Sequence, residues 1–579
     1  MKLQEKQWNL PDPVPEEVLA RLPHVPPLIL QLLVNRGITD SDRVDAFLDG
    51  EARAENPFQM AGMSQAVTRI RDAIRRGERC VIYGDFDADG VTATALMVQT
   101  LNALGARVEP YIPHRVDEGY GLNKDTLTQL AGEGCDLLIT VDCGIRAVDE
   151  VAYANSLGMD VIITDHHSVG PALPPALAAL DPKQPVCRYE FKGLAGVGIA
   201  FRLAQALLRS HHQVPIRDDL TVTLDEGDLL DLVAIGTVAD LAPLLDENRW
   251  LVRRGLERIN QAPRPGLQAI MSLAGIAPGQ VTSGTIGYVI GPRLNAAGRI
   301  DSAMLSYELL STDDVLRATE LALQLDGLNR QRQDLTAAAL KEAQEQIEAR
   351  DSDAYLYMVA EKNFKSGVVG LVAGRLAEAY YRPALVLELG DECSRGSARS
   401  IPEFNITKAL DRCAEAGLLV RHGGHAAAAG FTVENCNLDA FRAMLQDIAA
   451  EELADRDLKP SLVIDKEVLL GDLDWATWGL LQQLEPTGIL NPQPLLLSRG
   501  LQVRGARQVG SEGAHLKLSV SDPEAGPRSQ KIWDAIAFRQ GHWFGHLKSR
   551  VDLVYSLDEN IWNNQRRLQL VVHDLRPDS

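Results

Sequence analysis

The chain has 579 residues, which is long enough for three or four domains with sizeable hydrophobic cores. Its formal net charge of -21 at pH 7 excludes a uniformly basic surface for nucleic acid, but not basic residues gathered in one groove. The 7 Cys are scattered, odd in number and include no C-x-x-C pair, which favours a reducing compartment and argues against a disulfide framework. The N-terminus is polar and Pro-rich and no apolar run could cross a membrane, so we expect a cytoplasmic protein without a signal peptide.

Residues 1–55 form an N-terminal extension that is Pro-rich and then weakly helical, and they show no pattern that indicates chemistry. From residue 56 to residue 311, short β-branched runs alternate with helical segments, which predicts parallel strands in βαβ units. Three of these runs lead directly into acids or imidazoles. Residues 80–84 precede Asp85, Asp87 and Asp89; residues 137–141 precede Asp142; and residues 161–164 precede Asp165, His166 and His167.

The carboxyl ends of these strands are expected to meet, because open α/β sheets bind ligands in the crevice beyond those ends. Carboxylates and imidazoles crowded into one crevice would repel each other unless a cation neutralised the acids. Oxygen ligands with imidazole and without thiolate suit Mn²⁺ or Mg²⁺ better than a structural zinc. The number of acids indicates two ions, and two ions about 3.5–4 Å apart can clamp the attacking and leaving oxygens of a phosphoryl displacement.

The alternative is that Asp85, Asp87 and Asp89 form only a solvated turn, since their spacing also occurs in calcium-binding loops. Such a loop needs a Glu near its twelfth position, whereas residues 91–99 of this chain have the composition of an apolar helix. The sequence therefore favours a metal centre for phosphoryl transfer over a calcium loop.

The remaining sequence predicts three further segments. Residues 312–350 are rich in Ala, Leu, Gln and Glu and lack Pro, which indicates a long connecting helix. Residues 351–458 return to an α/β pattern, and residues 459–579 alternate with a period of two, which indicates an antiparallel sheet or small barrel. The predicted fold class is α/β, with two α/β domains joined by a long helix and followed by an all-β domain.

Several motifs carry a resemblance to a known family: GDFDADG at 84–90, VDCGI at 141–145, TDHH at 164–167, GTVAD at 236–240, GPRLNAAGR at 291–299 and GGHAAAAG at 423–430. They resemble the RecJ exonucleases of the DHH phosphoesterase superfamily, from about residue 60 to the C-terminus. The motif around Asn295 and the C-terminal barrel narrow the resemblance to that family. It implies a DHH catalytic domain over 56–311, a DHH-associated domain over 351–458 and an oligonucleotide-binding (OB) barrel over 459–579.

Residue by residue, the resemblance implies a set of ligands for two Mn²⁺ or Mg²⁺ ions: Asp85, Asp87, Asp89, Asp142, His166 and Asp240. Asp142 would bridge the two ions, and Asp85 would be either a ligand or an acid behind the ligands. Asp165 would orient its neighbours, and His167 would meet the scissile phosphate.

The same resemblance implies phosphate contacts from the second α/β domain. His425 would face the metals across a cleft, because Gly423 and Gly424 let the backbone approach closely. At one position the sequence departs from the family: Lys365 and Ser366 replace a Trp-His pair, which leaves open whether Lys365 takes over the histidine contact. The further implied nucleic-acid or phosphate contacts, in which a guanidinium fork suits phosphate oxygens, are Arg115, Arg293, Asn295, Arg299, Ser397 and Arg399.

Aromatic and basic residues of the last domain are candidates for strand binding, because aromatic faces stack on bases in OB barrels. Of the Trp residues there, we expect Trp475 and Trp533 in the barrel core, and Trp562 stays open between core and stacking. Candidate basic contacts are Lys517, Arg539, Lys548, Arg550, Arg566 and Arg567.

Three functions compete. The leading hypothesis is a 5′→3′ exonuclease that hydrolyses single-stranded DNA to 5′-mononucleotides in DNA repair and recombination. It would act as a monomer and would meet a single-strand-binding protein and a helicase. The second is a phosphoesterase of short oligonucleotides, cyclic dinucleotides or pyrophosphate, which the residues after Lys459 disfavour. The third is a scaffold without catalysis, which the complete ligand set disfavours.

Overall fold

A computed structural model describes residues 5–49, 55–115, 117–261, 263–350, 354–523, 531–562 and 565–577. The chain divides into two units. One comprises Met1–Ala54, Pro243–Arg253 and Lys459–Ser579, and the other comprises Glu55–Ala242 and Arg254–Leu458. Within the described ranges, no helix has the length and apolar character needed to cross a bilayer.

The chain begins with one short strand and three helices, in which Pro26 and Pro27 open the second helix as expected for the first helical turn. They are β1 (Gln7–Asn9), α1 (Glu16–Arg21), α2 (Pro27–Asn35) and α3 (Ser41–Asp49).

A five-stranded parallel sheet forms the centre of the first α/β region, with the order β3-β2-β4-β5-β6. Its central strands are buried along nearly their whole length, as their β-branched runs predict. The chain leaves the neighbours β2 and β4 in opposite directions, so the switch point of the sheet lies between their carboxyl ends. The elements are α4 (Met63–Arg76), β2 (Arg79–Gly84), α5 (Ala88–Ala103), β3 (Arg107–Tyr111), α6 (Lys124–Gly132), β4 (Leu137–Val141), α7 (Val148–Ser156), β5 (Asp160–Thr164) and β6 (Ala178–Leu180).

Helices complete this region, and α5 packs between the sheet and two of them, α8 and α9. A π-helical turn, Ile286–Ile290, interrupts the segment that leads into α13. The helices are α8 (Gly196–Gln213), α9 (Leu230–Ala239), α10 (Asp246–Gln261), α11 (Pro265–Leu273), α12 (Ser283–Thr285), α13 (Gly291–Ile300) and α14 (Met304–Ser311).

The predicted long helix is present as α15 (Val315–Arg350), which has 36 residues and packs against helices of both α/β regions. The second region has a mixed sheet with the order β10-β11-β9-β8-β7, in which only the β7–β8 pair is parallel among the described pairings. Its elements are β7 (Tyr357–Glu361), α16 (Ser366–Tyr380), β8 (Ala384–Glu388), β9 (Cys393–Arg399), α17 (Ile406–Glu415), β10 (Arg421–His425), β11 (Ala428–Glu434) and α18 (Leu438–Leu453).

The C-terminal residues form the predicted barrel. Its strand order is β14-β15-β16-β18-β17, and pairing of β17 with β14 closes it. The elements are β12 (Ser461–Val463), β13 (Lys466–Glu467), α19 (Trp475–Gln482), β14 (Leu496–Val509), β15 (His515–Ser521), β16 (Trp533–Ala537), β17 (Arg550–Trp562) and β18 (Gln565–Pro577).

The N-terminal segment, to which the sequence assigned no role, shares one hydrophobic core with this barrel. Leu30 and Leu33 of α2 belong to the same buried cluster as Leu496 and Leu553 of the barrel strands. In addition, β1 pairs in parallel with β12, and the Trp8 indole donates to Asp574 at 2.6 Å. The first and last segments of the chain therefore fold as one body.

Candidate metal centre and phosphate pocket

The loop after β2 brings three carboxylates to the switch point of the sheet. Asp85 follows the strand directly and is buried. Asp87 is the N-cap of α5 and accepts hydrogen bonds from the Asp89 and Gly90 amides at 2.9 and 3.1 Å. This cap fixes the turn that carries all three acids, because it satisfies amides that the first helical turn leaves free.

Asp89 lies deeper and is tied to a second helix. Its carboxylate accepts from the amides of Gly196 and Val197 at 2.7 and 2.8 Å, at the N-terminus of α8. A Cβ at Gly196 would lie 2.6 Å from the Cβ of Asp142, so only glycine lets this helix approach so closely. The helix N-terminus thus holds Asp89 beside Asp142.

Asp142 and His166 follow β4 and β5, and they face each other. Asp142 has φ 62, a left-handed conformation that is uncommon for a non-Gly residue and is often found at functional sites. Its Oδ1 lies 3.1 Å from Nε2 of His166. His166 is also 4.0 Å from Asp89 and 3.8 Å from Asp240, the residue that ends α9. Side chains from four elements therefore converge.

The acids of this cluster hold their protons more tightly than free carboxyls do. Burial, then the neighbouring carboxylates, raises the pKa of Asp89 to about 7 and that of Asp240 to about 8. The same causes raise the pKa values of Asp85 and Asp142 well above the usual range. Burial and His167 lower the pKa of His166 to about 3, which leaves a neutral imidazole. The cluster is thus short of positive charge.

The donor set fits divalent cations. Asp85 Oδ1, Asp142 Oδ1 and His166 Nε2 are buried and make no hydrogen bond within the described chain. Potential ligand atoms within 4.8 Å of one another form three groups among the described residues, and Asp142 and His166 each belong to two of these groups. Oxygen and imidazole ligands of this kind suit Mn²⁺ or Mg²⁺. The three groups are Asp85, Asp87 and Asp142; Asp89, His166 and Asp240; and Asp142, His166 and His167.

Asp165 organises the loop that carries both imidazoles. Its Oδ1 accepts from the His166 and His167 amides at 2.7 and 3.1 Å, and its Oδ2 accepts from the Ile145 amide at 2.9 Å. The Nδ1 of His167 lies 2.7 Å from Oδ1 of Asp165 and 3.2 Å from the Tyr120 hydroxyl. Burial opposes protonation of His167, but the hydrogen bond and charge of Asp165 outweigh it and raise the pKa. The Nε2 atom of His167 is left for another partner.

Arginines gather beside the carboxylate loop. The Arg115 guanidinium lies 4.6 Å from the centroid of the Phe86 ring. Phe86 is the residue between Asp85 and Asp87 in the sequence. Arg399 donates to the Ser397 hydroxyl at 3.1 Å, and Arg299 donates to the Gly367 carbonyl at 3.2 Å.

Arg115, Arg299 and Arg399 form an arginine cluster, and its charge imbalance is opposite to that of the carboxylate cluster. Burial, followed by Arg115 and Arg332, lowers the pKa of Arg299 to about 9. Burial and Arg115 also lower the pKa of Arg399. The guanidiniums are therefore close enough to repel one another, which favours a bound anion.

Two residues that the sequence predicts as phosphate contacts, Arg293 and Asn295, bond to other parts of the chain in the structure. Arg293 pairs with Asp326 of α15 at 2.9 Å and donates to the Val289 carbonyl at 2.9 Å. The Asn295 side chain accepts from the Ala88 amide at 2.8 Å, which ties α13 to the carboxylate loop. Both contacts hold helices in place, and a phosphate contact of either residue stays a prediction.

His425 ends β10, the edge strand of the second sheet, and is exposed. It lines a cavity of about 290 Å³ together with Gly424, Asp165, His167 and Tyr120. The structure thus brings His425 and His167 to one cavity, as their predicted roles require. Gly423 precedes Gly424 and His425 on β10. Lys365 is the N-cap of α16, and its contact with phosphate stays a prediction.

Three residues near the site had no place in the sequence prediction. Asp181 follows β6, is buried, and accepts from the Lys183 amide at 2.7 Å. The Lys183 ammonium in turn donates to the His166 carbonyl. Asp181 obeys the same strand-end rule as the other acids, so a signal existed. Arg332 of α15 carries no comparable signal, because only tertiary structure brings it near Arg299.

The barrel residues divide between core and surface. Trp533 is 2% exposed, which confirms its predicted core position, whereas Trp475 is 44% exposed and its predicted core position is wrong. Trp475 lies on α19 at the barrel surface, where Arg566 approaches its ring to 5.4 Å. The side chain of Trp562 and residues 563–564 lie outside the described residues. Of the basic candidates, Lys517 is half-buried, and Arg539, Lys548, Arg550, Arg566 and Arg567 are exposed.

Comparisons with known proteins agree with this architecture. Three family models match: the N-terminal domain of the DHH family at residues 79–237, the DHHA1 domain at 352–451 and the RecJ OB domain at 464–574. The single-stranded-DNA-specific exonuclease RecJ of Bacillus subtilis is 39% identical over 99% of this chain and 71% of its own length. That of Dickeya dadantii is 36% identical over 96% of both chains.

A solved structure extends the comparison to the metal. The crystal structure of RecJ in complex with Mn²⁺ from Thermus thermophilus matches with a TM-score of 0.83 and 32% identity. The match covers 99% of this chain and 80% of that chain. The chain belongs to the RecJ family of the DHH superfamily.

Proposed function

We propose that this protein is a metal-dependent exonuclease that removes 5′-mononucleotides from the 5′ end of single-stranded DNA. The observation that carries the proposal is the pairing of two oppositely charged clusters in one unit, one of buried carboxylates and one of half-buried guanidiniums. The RecJ relatives are named as single-stranded-DNA-specific exonucleases, which supports the same substrate here.

The carboxylate cluster would hold two Mn²⁺ or Mg²⁺ ions, with Asp142 shared between them. When bound, such ions lower the pKa of water and neutralise charge on phosphoryl oxygens. The ligands would be Asp85, Asp87, Asp89, Asp142, His166 and Asp240.

His167 and His425 would bind the scissile phosphate from opposite walls of the cleft. Asp165 occupies Nδ1 of His167, so Nε2 would be the ring atom that donates to a phosphoryl oxygen. Tyr120 holds the same ring through its hydroxyl and an edge contact with 5.7 Å between ring centroids. Oriented donors of this kind stabilise the charge that develops on phosphate during displacement.

The arginine cluster would select the 5′ end. Arg399 lies opposite Ala428, and Ala428 lies opposite His425 in neighbouring strands, so Arg399 and His425 are in one row about 10 Å apart. That spacing is between backbones, and the Arg399 and His425 side chains extend beyond it, so consecutive phosphates of one strand could contact both residues. A 5′-phosphate on Arg115, Ser397 and Arg399 would therefore place the next phosphate between His425 and the metal ligands, and the product would be a 5′-mononucleotide.

The barrel would bind the rest of the strand, using exposed Trp475 and the basic residues near it. At the cellular level, we propose a monomer that works in the cytoplasm in DNA repair and recombination. A single-strand-binding protein and a helicase would supply its substrate. The monomeric state, compartment, pathway and partners are proposed from the family and not from the geometry of the site.

The test uses strands labelled at either end, offered with Mn²⁺ as single strands, duplexes and dinucleotides. The proposal expects labelled mononucleotide as the first product of the 5′-labelled single strand and no attack on blunt duplex. Rapid hydrolysis of dinucleotides with little of long strands would instead identify a phosphoesterase of small substrates.

A further inference from the structure

One loop carries side chains that belong to two parts of the site. It connects β3 to α6, and both Arg115 and Tyr120 lie on it. Arg115 lies near the carboxylates and belongs to the proposed 5′-phosphate pocket. The Tyr120 hydroxyl lies 3.2 Å from Nδ1 of His167 and 3.4 Å from the carbonyl oxygen of Asp142. The position of this loop therefore affects both the arginine cluster and the imidazole that would meet the scissile phosphate.

The carboxylate of Glu118 is the centre of the hydrogen bonds within this loop. Its Oε1 accepts from the amide of His114, the neighbour of Arg115, at 2.7 Å. Burial opposes ionisation of Glu118, but the hydrogen bonds to its carboxylate outweigh burial and lower the pKa. Its Oε2 accepts, at 2.7, 2.7 and 3.2 Å, from three side chains at the two ends of the loop: Tyr111, Thr126 and Asn123.

The backbone around Tyr120 depends on such bonds for its direction. Gly119 and Gly121, both with φ 83, flank Tyr120, and glycine restrains the backbone least of all residues. The bonds at Glu118 fix the loop on one side of Tyr120. On the other side, the Tyr83 hydroxyl donates to the Gly121 carbonyl at 2.9 Å. Glu118 and Tyr83 therefore set where the Tyr120 ring meets its partners.

We infer that Glu118 is a positioning residue that holds both Arg115 and Tyr120 in place through this loop. The inference rests on the proposed function, because it assumes that Arg115 meets the 5′-phosphate and that His167 meets the scissile phosphate. The Glu118 carboxylate itself would touch neither the strand nor the metal ions. Its loss would weaken capture of the 5′-phosphate and would also disturb the orientation of His167.

The test uses Glu118→Gln, which keeps the size of the side chain but turns one acceptor oxygen into a donor that faces other donors. Glu109→Gln is the matched control, since Glu109 is an exposed acid of β3 that bonds Arg79 at 2.8 Å instead of the loop. Arg115→Ala and Tyr120→Ala are made alone and together with Glu118→Gln, so that the coupling of each pair is measured.

For each variant, kcat and KM are measured on single strands with a 5′-phosphate or a 5′-hydroxyl. The Kd for the same strands is measured in EDTA by fluorescence anisotropy, which gives a readout that does not need turnover. Bound Mn²⁺ and the unfolding temperature are also determined.

We expect Glu118→Gln to lower kcat about 10–100-fold, since a misplacement of about 1 Å can cost about 10²-fold in rate. It should raise KM and Kd about 2–10-fold for strands with a 5′-phosphate, the range for one weakened hydrogen bond, and leave strands with a 5′-hydroxyl unchanged. The effect on Kd should disappear in the Arg115→Ala background, and the effect on kcat should disappear in the Tyr120→Ala background. Mn²⁺ content should stay at the wild-type value, and Glu109→Gln should behave as wild type.

The inference is overturned if Glu118→Gln keeps the wild-type kcat and Kd, or if either effect persists unchanged in its double variant. A lower unfolding temperature with wild-type kcat and Kd per folded molecule would show a purely structural role and would also overturn it. Failure of the proposed function would appear in the wild type, which would not shorten strands from the 5′ end. In that case Kd in EDTA would still decide whether Glu118 positions Arg115.

Discussion

The carboxylate cluster and the arginine cluster carry opposite charges, but in both of them like charges are crowded together. In the first, burial and mutual repulsion raise carboxyl pKa values; in the second, burial and mutual repulsion lower guanidinium pKa values. Neither cluster is electrostatically complete within the chain. Under the proposed function, a ligand of opposite charge would complete each cluster, cations in one and a phosphate in the other.

The largest expected effect comes from removing the shared carboxylate. Asp142→Ala should lower kcat by at least about 10²–10³-fold, because both ions lose a ligand and the phosphate loses its opposing charge. The matched control is Asp149→Ala, an exposed acid at the start of α7, which should behave as wild type. Steady-state rates at saturating Mn²⁺ measure the effect. Activity of Asp142→Ala within tenfold of wild type would exclude Asp142 as a shared ligand.

His425 should affect the rate but not metal binding, because it shares a cavity with His167 and is proposed to contact the phosphate rather than the ions. His425→Ala is expected to lower kcat by about 10²–10³-fold with unchanged Mn²⁺ content. His422→Ala, on the same strand but bonded to Asp411 at 2.7 Å, is the control for general damage to β10. Depletion of Mn²⁺ in His425→Ala, measured by elemental analysis, would show that His425 is a metal ligand and not a phosphate contact.

The arginine cluster should act on the end of the strand. Arg399→Ala is expected to raise KM about 10–100-fold for strands with a 5′-phosphate, the range for a lost hydrogen bond to a charged group. Strands with a 5′-hydroxyl should be much less affected. Arg395→Ala, on the same strand and exposed, is the control. Equal effects on both kinds of strand would mean that the arginine cluster does not bind the 5′-phosphate.

Without metal, the carboxylate cluster should make stability depend on pH. Asp89 and Asp240 have pKa values of about 7 and about 8 in the folded chain, against about 3.9 when unfolded, so the folded state binds protons more tightly. Stability should therefore fall as pH rises through the range from about 4 to 8. Mn²⁺ at 100 times its Kd should add about 2.7 kcal/mol at the upper end.

Thermal unfolding with EDTA or Mn²⁺ at the two ends of that range measures this effect. Asp149→Ala should show the wild-type pH dependence. An unfolding temperature of the metal-free protein that does not change with pH would mean that the carboxylates do not repel one another as described.

The smallest effect is expected from the barrel. Trp475→Ala should raise KM for long strands and leave short oligonucleotides unchanged, because it removes a stacking surface that only the longer strands use. Phe544→Ala, at a residue 47% exposed in the same domain, is the control. A point variant is preferable to truncation, since the barrel shares its core with α2. An unchanged KM on long strands would assign Trp475 to another partner.

The sequence predicted the metal cluster better than the arginine cluster, for a physical reason. Asp85 and Asp142 each directly follow a buried strand, and parallel strands bring their carboxyl ends together, so local pattern was sufficient for these two residues. Asp240 ends helix α9, and only the family resemblance indicated it. Arg299 and Arg332 come from helices distant in the chain, and only packing brings them together. Arg293 shows the same limit, because its partner Asp326 lies on α15.

The fold shows a similar division. The parallel sheet and the barrel follow from periodicity and the long helix follows from composition, and both are local properties of the sequence. The union of the N-terminal segment with the barrel depends on contacts across nearly the whole chain, such as Trp8 with Asp574. Trp475 was misplaced because composition does not distinguish a core Trp from one on a surface helix.

The most direct test of the account is the number of Mn²⁺ ions that the cluster binds, measured by electron paramagnetic resonance titration of wild type and Asp142→Ala. The account predicts two ions per chain in the wild type, with the magnetic coupling of a pair that shares a ligand. It predicts loss of that coupling, and of at least one ion, in the variant. A single uncoupled ion in the wild type, or an unchanged coupled pair in Asp142→Ala, would contradict it.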